Sequence, residues 1–273
     1  MDNYLIINGA RVPTPFPCLN WENAPDKVKK HTKVNKRIGR CNLIVMHTIH
    51  GEPGRLVPGS KPSALDIGVA HSHFVSSRPA STDAYVDTDG SVVWANDPAL
   101  TMTWGAPGVN MTGMHIEMCT DLDSTLYQAT VDTAGVLVEI LCRALGIQMQ
   151  TPWDFVKDEP HAGRIHRCDD GTGAKNIVGV IGHRNVWGFN HAHVLTNERS
   201  FWDPGSFIFK HLVDKHRFEK FDFEAGTDTA EWVKRQLGLG FSAADADGLP
   251  MSHTVAALKA AGYPNGIWVR PAA

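Results

Sequence analysis

The chain has 273 residues, 42% of them hydrophobic and 20% charged, with a formal net charge of -3. That composition is ordinary for a globular protein large enough for one sizeable core plus a small appendage. The acidic balance lacks the basic footprint of a nucleic-acid binder, and no apolar run approaches the roughly 18 residues of a membrane span. Neither nucleic acid nor membrane insertion is expected.

Residues 1–40 read as an irregular lead-in, with Pro13, Pro15 and Pro17 close together after a short apolar start at Tyr4–Ile7. Between Lys27 and Arg40 lie Lys27, Lys29, Lys30, Lys33, Lys36, Arg37 and Arg40. A solvated face explains such a run, and so does a contact with an anionic polymer. Asn42–Met46 is an apolar run that fits a buried strand and delivers His47 at its end. The Gly- and Pro-rich stretch 51–62 reads as a loop, and Ser63 precedes a short capped helix over 64–71.

Ala84–Trp94 reads as a hairpin turning at Asp89-Gly90. Gly113–Met118 fits a strand, whose period-two alternation puts His115 and Glu117 on one face and Ile116 and Met118 on the other. In 124–145, Val131, Ala134, Val138, Leu141 and Leu145 have the spacing of an amphipathic helix. Ile177–Ile181 is a further core strand, leading to His183. Strands alternating with helices imply an α/β fold with a mixed sheet. Composition changes near Gly226, where two short helical stretches, 230–239 and 252–261, flank a turn at Asp247-Gly248. This divides the chain into the lead-in 1–40, a main domain over 41–222 and a small helical module over 226–273.

Five cysteines (Cys18, Cys41, Cys119, Cys142 and Cys168) with no C-x-x-C pair argue against a disulfide framework or a cysteine zinc knuckle. Reduced, buried thiols are the expectation. Met1–Tyr4 lacks the basic start of a signal peptide, so synthesis in a cytoplasm without a leader is expected.

A histidine at a strand end is by itself weak evidence for a metal. His191 and His193, with H-x-H spacing, are rival ligands, although the segment around Phe189 and Asn190 reads as loop. The combination and order of the motifs say more. Val45-Met46-His47-Thr48, Asp89-Gly90-Ser91-Val92-Val93 and Trp104-Gly105-Ala106-Pro107-Gly108-Val109-Asn110 come first. Gly113-Met114-His115-Ile116-Glu117, Val180-Ile181-Gly182-His183 and Trp202-Asp203-Pro204-Gly205 follow. This series, over roughly residues 40–212, resembles the zinc-dependent N-acetylmuramoyl-L-alanine amidases of the amidase-2 or peptidoglycan-recognition-protein family. The Ala-Pro-Gly-x-Asn segment and the Trp before Asp-Pro-Gly are similar to amidase domains of phage endolysins.

The resemblance implies a central mixed sheet flanked by helices, with one zinc ion in a surface groove. His47, His183 and Asp203 would be its ligands and Glu117 the catalytic carboxylate. Two imidazoles and a carboxylate are a donor set that suits catalytic zinc with an open position. A non-ligating carboxylate beside the metal can move protons during hydrolysis. The implied substrate is peptidoglycan, cut between N-acetylmuramic acid and L-alanine, by a monomer that acts on the wall after release from the cell.

Three positions depart from the family pattern. Phe201 stands where a basic residue is common, leaving His193 and Arg199 as the nearest substitutes for stabilising an oxyanion. Asp83-Ala84 replaces a His-Tyr pair, which makes Asp83 a candidate outer carboxylate around the metal. Gly105 replaces the histidine usual after Trp104. His115, Trp104 and Asn110 are candidate substrate contacts, with packing the alternative for His115 and for the tryptophans Trp94 and Trp104. The 226–273 segment loosely resembles a small peptidoglycan-binding module, or else caps the catalytic domain. Two other functions fit the same motifs: a non-catalytic peptidoglycan-recognition module, and a cytoplasmic amidase that recycles muropeptides.

Overall fold

The structure, a computed structural model, describes residues 2–30, 35–49, 81–106, 109–120, 126–152, 178–183, 207–221 and 237–238. Twelve strands and two long helices fall within them. The strands are β1 (Tyr4–Ile7), β2 (Ala10–Pro13), β3 (Cys18–Asn20), β4 (Asn35–Lys36), β5 (Leu43–Ile49) and β6 (Ala84–Val86). They continue with β7 (Val92–Trp94), β8 (Thr101–Met102), β9 (Gly113–Cys119), β10 (Gln150–Pro152), β11 (Gly179–Gly182) and β12 (Glu219–Phe221). The helices are α1 (Gln128–Leu145) and α2 (Phe207–His216).

Six strands form one sheet in the order β11-β5-β9-β6-β7-β3. The pairs β11–β5, β5–β9, β9–β6 and β7–β3 are parallel, and β6–β7 is antiparallel. This is the mixed α/β sheet expected from alternating strands and helices. The hairpin turn lies where Asp89-Gly90 marks it, with Gly90 at φ 85°, a left-handed conformation that glycine adopts without strain.

One face of the sheet carries the main core. Ile44 and Met46 of β5, Met114, Ile116 and Met118 of β9, and Ala84 and Val86 of β6 pack with Val131, Ala134, Val138 and Leu141 of α1. Ile208, Phe209 and Leu212 of α2 join the same cluster. Each of the larger side chains among them (Val, Leu, Ile, Met and Phe) contributes about 1.5–3 kcal/mol by leaving water. The α1 helix ends where Gly146 takes a left-handed conformation and the Ile147 N–H returns to the Cys142 carbonyl at 2.8 Å, closing the last turn.

The first 30 residues correct one expectation. Instead of an irregular lead-in, β1 and β2 pair antiparallel, and β3 adds itself to the edge of the main sheet beside β7. Tyr4, Leu5, Ile6 and Ile7 are all buried, and Trp94 donates its indole N–H to the Ile6 carbonyl at 3.0 Å. The three prolines misled because a strand contributing only a few hydrogen bonds tolerates them nearby.

The basic run is corrected in part as well. Arg37 is buried, and its guanidinium donates to the carbonyls of Pro98, Met111 and Gly113, tying the start of β9 to two loops. Cys18, Cys41, Cys119 and Cys142 are free and buried, and burial pushes the thiols of Cys18, Cys41 and Cys142 up to about 12. Among the described residues no helix is long and apolar enough to cross a membrane. The expected helix over 64–71, and the module after Gly226 apart from residues 237–238, lie outside the described residues.

Candidate active site

The other face of the same strands carries titratable side chains. Because β-strand side chains alternate, burying Ile44, Met46, Ile116 and Met118 under the helices forces Val45, His47, His115 and Glu117 to the opposite side. Parallel pairing sets His47 of β5 directly beside Glu117 of β9, and Glu117 in turn beside Tyr85 of β6. On the far side of β5, β11 pairs Gly182 with Met46, so His183, the next residue, reaches the level of His47. His47 lies within β5 rather than at its end, because the strand runs on to Ile49.

Three imidazoles converge there. The rings of His47 and His183 are 4.6 Å apart between centroids at an interplanar angle of 57°, and those of His47 and His115 are 5.2 Å apart at 54°. Nε2 of His47 and Nδ1 of His115 share a hydrogen bond of 3.0 Å. All three side chains are buried. Burial, with the neighbouring rings adding to it, holds His47 well below its usual value and lowers His115 to about 3, so both are neutral near pH 7. Neutral imidazole is the form that binds a metal.

Glu117 is partly exposed as a residue, but its Oε2 is enclosed, and among the described residues nothing donates to it. Desolvation raises its carboxyl to about 8. A buried carboxylate oxygen without a donor is costly in a purely structural role. Tyr85, fully buried in register with Glu117, is a site neighbour that the sequence reading overlooked. The signal was present: Ala84 and Val86 alternate into the helix-covered core, which turns Tyr85 toward the histidines.

Asp83 anchors this face. Its carboxylate accepts from Asn96 Nδ2 at 2.8 Å, from Thr103 Oγ1 at 2.7 Å and from the His115 backbone N–H at 2.7 Å. Burial raises its carboxyl, and those three hydrogen bonds and Arg37 oppose the rise. Asp83 therefore holds the backbone at His115 through its N–H, not through the ring.

The remaining sequence candidates separate. His115 is fully buried and shares a hydrogen bond with His47, as the packing alternative has it. Asn110 uses its Oδ1 to accept the Ala106 N–H at 2.9 Å, a bond internal to its loop. Trp104 is 45% exposed and stands available on the surface, whereas Trp94 is core. Asp203, His191, His193, Arg199 and Phe201 lie outside the described residues.

The described donors fit a zinc ion as far as they go: the imidazoles of His47 and His183 lie beside each other, with an unpartnered carboxyl oxygen of Glu117 on the next strand. Among the described residues no three His, Cys, Asp or Glu side chains are gathered to hold a metal by themselves. Asp203, the third ligand expected from the sequence, lies outside the described residues.

No family model matches the sequence, and no curated protein matches it. Among solved structures the fold is similar to Drosophila PGRP-LB, with 14% identity over 76% of this chain and 98% of that one and a TM-score of 0.44. It is also similar to the N-acetylmuramoyl-L-alanine amidase LysC from Clostridium intestinale, with 15% identity over 76% and 100% of the two chains and a TM-score of 0.43. A third is PGRP-Hd from Alvinella pompejana, with 13% identity over 49% and 83% and a TM-score of 0.41.

Proposed function

We propose that this protein is a zinc-dependent N-acetylmuramoyl-L-alanine amidase acting on bacterial peptidoglycan, in the manner of a phage endolysin. One observation supports it most: His47, His183 and Glu117 come to one level on one side of three adjacent parallel strands, with Glu117 Oε2 enclosed and unpartnered among the described residues. The ordered motifs from Val45 to Gly205 support the same reading from the sequence.

In this reading His47 and His183 hold the zinc ion with Asp203 as the third ligand. When bound, the ion supplies Lewis acidity that polarises a carbonyl and makes water nucleophilic near neutral pH. Glu117 accepts a proton from the attacking water and returns it to the departing amine of L-alanine. A carboxyl whose proton affinity lies near neutrality is suited to both halves of that transfer. The covered histidines keep their rings fixed, and exposed Trp104 offers a flat apolar face on which a sugar ring can stack.

The test is mass spectrometry of purified peptidoglycan digested with the full chain. The expected products are stem peptides with a free L-alanine amino terminus and glycan carrying intact lactyl groups. Chelator abolishes their release, and added zinc restores it. Zinc-loaded protein that binds peptidoglycan and releases nothing identifies a recognition module instead. Release from soluble muropeptides but not from intact wall identifies a recycling enzyme. Asp203→Ala is expected to lose zinc; retained metal makes His191 or His193 the third ligand.

A further inference from the structure

We propose that the contact between α1 and α2 is an acid-sensitive clasp, in which a proton taken up by His211 loosens α2 from the rest of the fold. His211 and His216 of α2 lie against α1, with their ring centroids 5.2 Å apart at an interplanar angle of 53°. Gly135 of α1 makes room for them: a Cβ there would run into the His216 ring and come within 2.9 Å of His211 Cδ2. Both side chains are largely covered, His211 being 13% exposed and His216 10%. None of these residues lies on β5, β9 or β11, so the clasp is separate from the polar face of the sheet.

The carboxylates facing the two rings are unequally placed. Glu139 is committed on both oxygens: Oε2 bonds His216 Nδ1 at 2.8 Å, and Oε1 accepts from Arg143 Nη2. Asp132 Oδ1 lies 3.5 Å from His211 Nε2, accepts from Gln128 Nε2 at 2.7 Å, and belongs to a side chain 57% exposed. An exposed carboxylate at that distance does little for a charged imidazole. On α2 itself Lys215 and Asp214 act on His211 with opposite signs. β10, which also packs on α2, is Gln150-Thr151-Pro152 and brings no charge. A proton on His211 therefore puts a charge into a covered notch beside a second imidazole, with Asp132 the nearest described carboxylate. Burial first, and His216 second, hold His211 below its ordinary 6.5. The folded chain resists a proton that the unfolded chain accepts, so the contact is at full strength above 6.5 and weakens as pH falls below it. Because α2 brings Ile208, Phe209 and Leu212 to the main core, loosening it uncovers the apolar face of the sheet.

Hydrogen exchange of the full chain, read by mass spectrometry at about pH 7.5 and about pH 5.5 and corrected for the intrinsic pH dependence of exchange, tests this. One proton accepted near 6.5 by the open form and refused by the closed form raises opening by up to about tenfold between these conditions. Peptides covering α2 are expected to show that rise in the parent. Peptides from β5 and β9, which also carry buried histidines, report the acid response of the rest of the fold. In His211→Gln, which cannot take up the proton, the α2 rise falls to theirs. An NMR titration of the His211 imidazole in the parent serves if the variant does not fold, with a midpoint below 6.5 expected. An α2 opening that does not change with pH, a His211→Gln variant with the parent's α2 response, or a His211 midpoint at or above 6.5 overturns the proposal.

Discussion

The two faces of the central sheet draw on alternate residues of the same strands and follow opposite rules. Toward α1 and α2, β5 and β9 present Ile44, Met46, Met114, Ile116 and Met118, all without polar atoms and all buried. Away from the helices they present His47, His115 and Glu117, buried polar groups that burial holds away from their charged forms. The first face gains free energy from every atom it removes from water. The second spends some of it to keep two imidazoles neutral and a carboxylate oxygen without a donor. In the proposed reading, stability belongs to one side and reactivity to the other, with a single peptide backbone between them.

The largest expected effect lies on the polar face. Glu117→Gln lowers amide cleavage by on the order of a thousandfold, measured as initial rate of peptide release. Its zinc content stays the same and its thermal midpoint is unchanged or raised, since a desolvated carboxyl is removed. On the other face, Ile116→Ala costs about 2–5 kcal/mol in denaturant melts while the rate per folded molecule changes only a few-fold. If Ile116→Ala abolished turnover without loss of stability, the division between faces would be wrong.

Asp83→Ala sharpens the comparison, because Asp83 is on the polar side yet serves structure. It leaves Asn96, Thr103 and the His115 N–H without their acceptor, at a cost of about 1–3 kcal/mol. Calorimetry should register that loss before any assay does.

The smallest effect is at the α1–α2 contact, where Glu139 Oε2 bonds His216 Nδ1 at 2.8 Å and Glu139 also pairs with Arg143. Its carboxyl is held below the usual range, first by the His216 hydrogen bond. A depressed carboxylate stabilises the fold above its unfolded pKa and loses that contribution as pH falls through the folded value. Glu139→Gln is therefore expected to cost about 0.5 kcal/mol near neutrality and nothing in strong acid, as read from melts across pH.

Much of this was legible in the residues. Period-two alternation correctly assigned His115 and Glu117 to one face, because burial under a helix leaves a strand only one way to turn. The 3.6 period found α1, and Asp89-Gly90 found its turn. Other features depend on distant partners and left no local mark. β3 is a strand because β7 offers it an edge, and Arg37 is buried because three carbonyls separated from it by 61–76 positions converge on it. The His47–His115 pair needs the β5–β9 register and the space above Gly105, where a Cβ would meet the His115 ring, and spacing alone reveals neither.

Metal stoichiometry tests the central claim most directly. Elemental analysis of the purified full chain after zinc loading and desalting is predicted to give one zinc per chain for the parent and for Glu117→Gln, and almost none for His47→Ala and His183→Ala. A full equivalent of zinc retained by His47→Ala or His183→Ala would contradict the account, because the two imidazoles that lie beside each other at β5 and β11 would then not be holding the metal.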